Sequence, residues 1–452
     1  MVKAASARRS ILDHTLALFT EVRAGESTTT LLLALNIFLI LTAYYIIKPV
    51  REALILADAG PEVKSYAAAG QVILLAFAVP LYARLTGRFE RRRLITVVTL
   101  FFMACLVVFY ALTLTAAPIG VVFYLWVGVF NLMVPAQFWA FANDVYTPEE
   151  GSRLFVIVAF GASMGAVAGS QAAGMLLEVV GLAQLLLVSC ALLACNIVLT
   201  GVVDAREGRR RADETAALRA DPAREMAPQP ETGALGKTSG FQLVMRSRYL
   251  LMIAFLILIA NWVNTNGEYI LGKLVSGAAA EAVAADASGQ LDAGTWIGKF
   301  YSDFFLYVNL LGVVLQLFLV SRILKHLGVR VALLILPLIA LGGNALVVAL
   351  PILGYLRWTK TAENATDYSL QNTVRNVLFL PLTREEKYNA KQAIDTFFQR
   401  VGDLLSAALV LVGTTVVSLG VQGFAAVNVA LIVVWLALAV AIGREYRVRT
   451  GG

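Results

Sequence analysis

Long apolar segments alternate with short polar segments along the whole chain. Each apolar segment has about 20 residues or more, the length that a helix needs to cross roughly 30 Å of hydrocarbon. The pattern predicts an all-α membrane protein with about 12 transmembrane helices. We place spans one to six at 29–47, 65–83, 94–113, 119–141, 154–177 and 181–203. We place spans seven to twelve at 248–270, 300–321, 329–349, 351–376, 392–418 and 422–442.

Two polar stretches lie outside these spans. Residues 1–25 carry a short apolar stripe within polar sequence, which is typical of an interfacial helix lying on the membrane. Residues 204–240 are rich in Glu and Arg and contain three prolines, which favours a flexible linker. We therefore expect an N-terminal six-helix half at 1–203, a mostly disordered linker at 204–240 and a C-terminal six-helix half at 241–452.

Basic residues indicate the orientation of the spans. In a chain of twelve spans, the segments richest in Lys and Arg all fall on the side of the amino terminus, which is the cytoplasmic side by the positive-inside rule. These residues are Lys3, Arg8, Arg9, Arg84, Arg88, Arg91, Arg92, Arg93, Arg206, Arg209, Arg210, Arg211, Arg322, Lys325, Arg330, Arg444, Arg447 and Arg449. We expect a multi-pass inner-membrane protein with both termini in the cytoplasm.

Two pairs of matching loops indicate that the halves arose by duplication. Thr147 opens the sequence Thr-Pro-Glu-Glu after span four, and Thr383 opens Thr-Arg-Glu-Glu after span ten, 236 residues later. Arg84 after span two and Arg322 after span eight lie 238 residues apart. A parallel duplication of six spans would leave this near-constant offset. A longer loop at about 271–299 accounts for the smaller offset between the first spans of the halves.

The composition agrees with a membrane protein and argues against other classes. Hydrophobic residues make up 59% of the chain and charged residues 15%, against about 25% charged residues in soluble domains. The net charge is +7, but the basic residues lie in short segments between spans, so nucleic acid is not an expected partner. The three cysteines lie in apolar runs and only two histidines are present, so the sequence offers neither a disulfide framework nor metal-ligand spacing.

An enzyme is not predicted, because the sequence contains no constellation of nucleophile and base and no phosphate-binding loop. We expect no metal and no cofactor. The expected partners are the lipid bilayer and a small-molecule substrate, and the protein is expected to be a monomer.

Polar residues inside the spans are concentrated in spans one, four, seven and ten and at the start of span eleven, whereas spans two, three, six, nine and twelve are nearly free of buried charge. In span ten, Lys360, Asn364, Asp367, Gln371 and Arg375 follow at steps of three or four residues and so share one helical face. A charge at the bilayer centre costs roughly 2.5–3.5 kcal/mol on insertion scales, so this face should meet protein or water. The alternatives are a solvated helix outside the membrane, or ion pairs that only hold the halves together.

The residue types in these spans point to an anionic solute that is phosphorylated and aromatic. Lys and Arg bind phosphate oxygens, and aromatic faces stack on a nucleobase. Carboxylates can pair with the cations when substrate is absent, or carry a coupling proton. The candidate substrate-binding residues are Lys48, Arg51, Asp144, Glu268, Lys360, Asn364, Asp367, Arg375 and Lys391. The candidate base-stacking residues are Tyr44, Tyr45, Trp139 and Trp262.

Four segments resemble the ATP/ADP translocases of plastids and obligate intracellular bacteria, the nucleotide transporter family. They are YYIIKPVREALIL at the end of span one, FWAFANDVYTPEEGSRLFVIVAFGASMGAVAGS at 138–170, NWVNTNGEYILGK in span seven and FLPLTREEKYNAKQAID at 379–395. The resemblance covers most of the chain. It implies a major-facilitator-like fold, in which the first and fourth spans of each half line a central cavity, and exchange or uptake of nucleotides by alternating access.

The resemblance also implies roles for four residues. Arg51 and Lys391 match two functional lysines of the family, and Asp144 and Glu268 match two essential glutamates. Arginine is not equivalent to lysine at a phosphate, so the chain is a divergent member. Transport of another organic anion, coupled to protons, is therefore an alternative hypothesis, and a membrane scaffold or sensor that transports nothing is a third.

Overall fold

A computed structural model of the chain describes residues 20–23, 26–86, 90–115, 117–220, 240–383 and 386–450. Within these ranges the secondary structure is helical, with no strand, and the predicted all-α class is confirmed. Eleven of the described helices are long and apolar enough to cross a membrane. Most of the interfacial helix predicted at 1–25 lies outside the described residues.

Each predicted span overlaps an observed helical segment. The first six are Ser27–Asp58, Gly60–Thr86, Arg91–Thr113, Gly120–Val145, Pro148–Val180 and Gln184–Ala220. The short helix Gly240–Arg246 precedes span seven, Arg248–Ala285. Span eight consists of Ala293–Val314, a π-helical turn at Leu315–Leu319 and Val320–His326, and span nine is Gly328–Ala349. Span ten consists of Leu353–Thr366, a π-helical turn at Asp367–Gln371 and Asn372–Leu378. Span eleven consists of Glu386–Ala390, Lys391–Ala393, Ile394–Phe398 and Gln399–Thr415, and span twelve is Val421–Thr450.

The predictions of irregular structure in two segments are wrong in part, because the helices of spans six and seven continue past the apolar sequence. Span six runs on to Ala220, so residues 204–220 of the expected linker are helical. Span seven runs on to Ala285, so about half of the loop expected at 271–299 is helical. Both extensions are rich in Ala, Glu or Arg, which are strong helix formers even when they are too polar for the bilayer. Residues 221–239 lie outside the described part of the chain.

Span ten is not among the eleven apolar helices. Its sequence carries the charged face described above, and its helix is interrupted by the π-helical turn Asp367–Gln371. Turns of this kind are rare and frequently occur at functional sites. The least apolar span is thus also interrupted by a π-helical turn, as spans eight and eleven are.

The described helices belong to two compact units. The first unit comprises Met1–Val50, Phe77–Ala117 and Trp126–Thr232. The second comprises Arg51–Ala76, Pro118–Leu125 and Gly233–Gly452. The end of span one and the start of span two therefore pack with helices of the C-terminal half. The domain boundaries at 203 and 241 stay a prediction.

The loop repeat found in the sequence is a repeated helix cap. The backbone N–H of Thr147 donates to Glu150 Oε2 at 2.9 Å, and the backbone N–H of Glu150 donates to Thr147 Oγ1 at 3.3 Å. Thr383 and Glu386 make the same reciprocal pair at 3.0 and 3.4 Å. Such a capping box satisfies backbone donors that a helix start leaves free. It begins the fifth span of each half.

Buried asparagines connect the first and sixth spans within each half. Asn36 of span one donates to Thr200 of span six at 2.9 Å and accepts a hydrogen bond from Asn196. In the second half, Asn266 of span seven donates to Asn428 of span twelve at 2.8 Å. Amide hydrogen bonds between helices stabilise packing where no water competes. These contacts repeat in both halves and fix the same pair of helices.

Small residues let span five approach the backbone of span one. Gly161, Gly165 and Gly169 recur every four residues on span five and so share one face. A Cβ atom on Gly165 would lie 2.4 Å from the carbonyl oxygen of Phe38, which no real contact allows. Such small-residue faces are a common way for membrane helices to pack closely.

We expect Gly165→Ala to destabilise the protein by about 1–3 kcal/mol, because the added methyl group forces the two backbones apart. Gly342→Ala is the matched control, since a Cβ atom on this mid-span glycine meets no neighbour within 4 Å. Thermal unfolding of the detergent-solubilised variants measures the effect. Equal losses in both variants would contradict the close approach.

Candidate functional site

A buried lysine of span ten is the centre of a polar cluster in the second unit. Lys360 is 1% exposed. Its ammonium donates to Asn264 Oδ1 and to Glu363 Oε1, each at 2.9 Å, and lies 3.6 Å from Glu268 Oε1. Asn364 donates to the same oxygen of Glu268 at 3.2 Å. Lys360 is therefore enclosed by protein and not solvated, whereas the crossing of the membrane by span ten stays a prediction.

Helical spacing brings these groups together. Lys360 and Glu363 are three residues apart in span ten, and Asn264 and Glu268 are four apart in span seven, so each pair shares a face. Gly267 makes room for the lysine between them. A Cβ atom on Gly267 would lie 3.2 Å from Lys360 Nζ, which is tighter than most real contacts.

The π-helical turn in span ten continues this face to a small polar cavity. Asp367 pairs with Arg375, with 3.3 Å between Oδ1 and Nη2. Gln371 is 1% exposed, and neither atom of its side-chain amide has a hydrogen-bond partner among the described residues. The cavity has a volume of about 40 Å³, room for roughly three water molecules. Its polar lining consists of Asn261, Asn264, Glu363, Asp367, Gln371, Arg375 and Gln399.

A second ionic cluster joins spans one and two in the same unit. Glu52 is 1% exposed and contacts both Arg51 and Lys64, with 2.6 Å between Lys64 Nζ and Glu52 Oε2. Lys64 lies 5.4 Å from the ring centre of Tyr301, and Arg51 lies 4.8 Å from that of Tyr124. Two cations thus share one buried carboxylate, and aromatic faces add cation–π contacts.

Seven of the nine predicted substrate-binding residues lie in the second unit, and the structure brings five of them together around Lys360 and its cavity. Glu268, Lys360 and Asn364 are in direct contact, Asp367 and Arg375 line the adjoining cavity, and Arg51 is in the second cluster. Lys391 lies apart from these contacts. It pairs with Asp395 of its own helix at 3.3 Å and lines an open pocket of about 580 Å³.

Two predicted residues belong to the first unit. Asp144 is half exposed and pairs with Arg91, with 2.9 Å between Oδ2 and Nε. Lys48 is buried, with its ammonium 5.1 Å from the ring centre of Tyr45. A role for either residue in substrate binding stays a prediction.

The predicted base-stacking residues pack against protein. In the first unit, Tyr44 stacks on Phe130, Tyr45 meets Tyr44 edge-on, and Trp139 meets Phe138 and Phe155 edge-on. Trp262 packs against the core of the second unit. Stacking of these side chains on a nucleobase stays a prediction.

Sequence reasoning missed Glu52, Lys64 and Glu363. The prediction that span two is nearly free of buried charge is wrong, because its helix begins at Gly60 rather than near 65 and therefore buries Lys64. The spacing of three residues between Lys360 and Glu363 is the sequence feature that could have found Glu363. Nothing in the sequence pairs Glu52 with Lys64, since they lie on different helices.

The chemistry available in the cluster is ion pairing and hydration. Two cations, Lys360 and Arg375, face three carboxylates, Glu268, Glu363 and Asp367. An anion could bind there only by exchanging places with a carboxylate. Among the described residues, no group of three or more His, Cys, Asp or Glu side chains is arranged to hold a metal ion.

The helical fold and its buried ionic cluster define a membrane transporter. The chain belongs to the Major Facilitator Superfamily, whose family model matches residues 33–362. A bacterial homologue of the human lysosomal transporter Spinster has a TM-score of 0.60 at 14% identity, over 94% of this chain and 98% of that one. A mutant of the nucleoside transporter NupG has a TM-score of 0.59 at 12% identity, over 93% and 99% of the two chains. These structures show the fold alone.

Within the superfamily, a narrower resemblance is confirmed. Residues 344–446 match the family model of the TLC ATP/ADP transporters. The ADP,ATP carrier protein 2 of Chlamydia pneumoniae is 22% identical over 362 residues, which are 70% of this chain. The match spans 64% of that carrier's length. Both matches agree with the resemblance to ATP/ADP translocases that the four sequence segments indicate.

We expect Lys64→Met to lower the free energy of unfolding by about 3 kcal/mol, because it removes one partner from a buried ion pair while Arg51 still contacts Glu52. Lys391→Met is the matched control, since the exposed Lys391–Asp395 pair contributes at most about 1 kcal/mol. Denaturation in detergent micelles compares the two. A larger loss in Lys391→Met would show that the buried cluster is not the stronger one.

Proposed function

We propose that this transporter moves nucleotides across the inner membrane by alternating access, either exchanging nucleoside triphosphates for diphosphates or taking nucleotides up. One observation carries the proposal. The stretch that matches the ATP/ADP transporters, 344–446, contains the buried Lys360, Arg375 and six of the twelve residues that line the polar cavity. The name of the Chlamydia pneumoniae relative supports the same substrate class.

The geometry suggests how phosphate would be bound. Lys360 and Arg375 are both held by carboxylates, which keep the cations fixed until substrate arrives. Phosphate oxygens are stronger acceptors for such groups than water, and arginine can bind them with two parallel hydrogen bonds. In the proposed binding step, phosphate therefore replaces a carboxylate as the partner of a cation.

The charge balance of the cluster favours a second candidate, a transporter of a less highly charged organic anion. The cluster holds three carboxylates against two cations. A site for a polyanion is expected to carry an excess of positive charge, which raises the local concentration of the anion. Competition by nucleosides, nucleotides and simple organic anions in one uptake assay separates the two candidates.

Uptake of labelled ADP into proteoliposomes, with and without unlabelled ATP inside, tests the proposal. We expect internal ATP to accelerate uptake, and Lys360→Met to reduce uptake about tenfold or more. A hydrogen bond to a charged group contributes about 1.5–3 kcal/mol, and 1.4 kcal/mol is a factor of ten. Arg322→Ala, which removes an exposed charge at the end of span eight, should transport normally.

Two outcomes would overturn nucleotide transport. One is wild-type uptake of a simple organic anion that no nucleotide inhibits. The other is unchanged ADP uptake in Lys360→Met protein that is present in the vesicles at the wild-type level.

We also propose that both termini are cytoplasmic. The basic segments at Arg91–Arg93 and Arg444–Arg449 support this orientation. A fluorescent protein fused after Gly452, of a kind that folds only in the cytoplasm, should fluoresce, and alkaline phosphatase at the same position should be inactive. Active phosphatase would reverse the orientation.

A further inference from the structure

The cavity in span ten has a counterpart in the first half. Gln137 of span four and Gln371 of span ten lie 234 residues apart, close to the repeat length of the capping boxes, and both are buried. Gln137 also lines a small cavity, of about 10 Å³, among asparagine, threonine and apolar side chains. The duplicated fold thus places a buried glutamine in a polar cavity twice.

Only the cavity of the second half is lined by charged residues. At an offset of 234 residues, the charged positions of span ten correspond to apolar positions of span four. Lys360, Glu363, Asp367 and Arg375 correspond to Trp126, Val129, Met133 and Phe141. The duplicated helix packing therefore does not require charge at these positions. Because buried charge seldom adds to stability, a function is the better reason for its presence.

We propose that Glu363 is a proton-binding site, and that the protein takes up a proton at Glu363 when an anion binds Lys360. This inference rests on the proposed transport of an anion and adds its coupling ion. The proton comes from the solution, reaches Glu363 through water in the cavity and adds to a carboxylate oxygen of Glu363. Lys360 keeps its three protons and changes only its partner.

Competition for Lys360 links the two events. Glu363 is 6% exposed, and its Oε1 accepts a hydrogen bond from the Lys360 ammonium. An anion bound to that ammonium draws it away from Glu363. A buried carboxylate deprived of its cation is strongly destabilised, and protonation removes the charge. The anion and the proton therefore bind favourably together.

The other two carboxylates of the cluster are less suited to this role. The Glu268 side chain is 25% exposed and also accepts a hydrogen bond from Asn364. The Asp367 side chain is 33% exposed and keeps Arg375 as a partner. The Glu363 side chain is 8% exposed. Glu363 is therefore the carboxylate that is destabilised most when an anion draws Lys360 away.

The cavity supplies hydrated access to Glu363. Gln371, Arg375 Nε and Trp435 Nε1 have no hydrogen-bond partner among the described residues. Buried polar groups of this kind are usually satisfied by ordered water, and the cavity has room for roughly three molecules. Water next to Glu363 can therefore relay a proton to its carboxylate.

Five spans place charged, polar or apolar residues around Glu363. Span ten contributes Lys360, Asp367 and Arg375, and span seven contributes Glu268, Asn261 and Asn264. Span eleven contributes Gln399, together with Asp403, which accepts from Asn261 and pairs with Arg400. Spans nine and twelve contribute Leu336 and Trp435, which do not ionise. A metal cation would have to displace Lys360 or Arg375 from these carboxylates, whereas a proton needs no such exchange, so a proton is the coupling ion that we propose.

Proteoliposomes loaded with buffer alone test the coupling. An inward proton gradient should accelerate net uptake of labelled ADP by the wild-type protein. Glu363→Gln, which mimics the protonated side chain, should lose this acceleration by about tenfold, within the usual range of coupling between sites. Exchange of ADP for internal ADP is measured beside it and should be reduced less than the proton-driven uptake, because exchange needs no net proton movement. Asp303→Asn is the matched control, since it removes a carboxylate from an ion pair between spans eight and ten, with Arg357, outside the cavity.

A second measurement does not depend on transport. Infrared titration of the purified wild-type protein should show the absorption band of a protonated carboxyl group. This band should be missing in Glu363→Gln and present in Asp303→Asn. This measurement also applies if Glu363→Gln transports nothing. If this band is lost in Asp367→Asn and unchanged in Glu363→Gln, the assignment of the proton site to Glu363 is overturned.

The possible results separate the two proposals. Net uptake of ADP that responds to no proton gradient, together with an unchanged infrared titration in Glu363→Gln, overturns the proton site, and ADP exchange that persists leaves nucleotide transport standing. Acceleration by a sodium gradient instead of a proton gradient also overturns it. A proton-driven uptake of another anion that ADP does not inhibit overturns nucleotide transport and supports the proton site.

Discussion

The cost of burying charge is the constraint on which the second unit depends. Lys360 and Glu52 are each 1% exposed, in helices that cross or border the hydrocarbon. Neither could stay ionised there without an opposite charge within a few ångströms. Each accordingly has such a partner, Glu363 for Lys360 and Lys64 for Glu52. These pairs decide which faces of the helices point inward and which residues can exchange partners.

The duplicated packing provides the rigid surroundings for these pairs. Gly165 in the first half allows close approach to span one, and Gly402, 237 residues later, brings span eleven close to span seven. A Cβ atom on Gly402 would lie 2.8 Å from the carbonyl oxygen of Leu258. Capping boxes and asparagine pairs repeat in the same way. Because these small and neutral residues hold the helices together, the charged residues of span ten are not needed for that purpose.

The sequence was sufficient to predict the elements and one face of the site. Apolar length located the spans, and residue spacing placed Lys360, Asn364 and Asp367 on one side of span ten. It was not sufficient to predict the partners. The contact between Glu52 and Lys64 depends on how two helices are packed, and a helical period carries no information about the neighbouring helix. The predicted ends of spans six and seven were wrong for a related reason. Hydropathy indicates where the chain leaves the membrane, whereas the helices continue to Ala220 and Ala285.

The interruption of span ten connects the fold to the chemistry. A π-helical turn adds a residue to the helical period, so side chains beyond it are rotated relative to those before it. Arg375 lies beyond the turn Asp367–Gln371 and pairs with Asp367 across eight residues, a spacing that a regular α-helix does not bring within contact distance. The turn thus directs Arg375 back to the cavity that Glu363 also lines.

A site whose cations are already paired with carboxylates has only a weak net electric field with which to attract an anion. The selectivity of the site must therefore depend on which anions can replace a carboxylate as the partner of Lys360 or Arg375. The π-helical turn places both ion pairs, Lys360–Glu363 and Arg375–Asp367, at the same cavity.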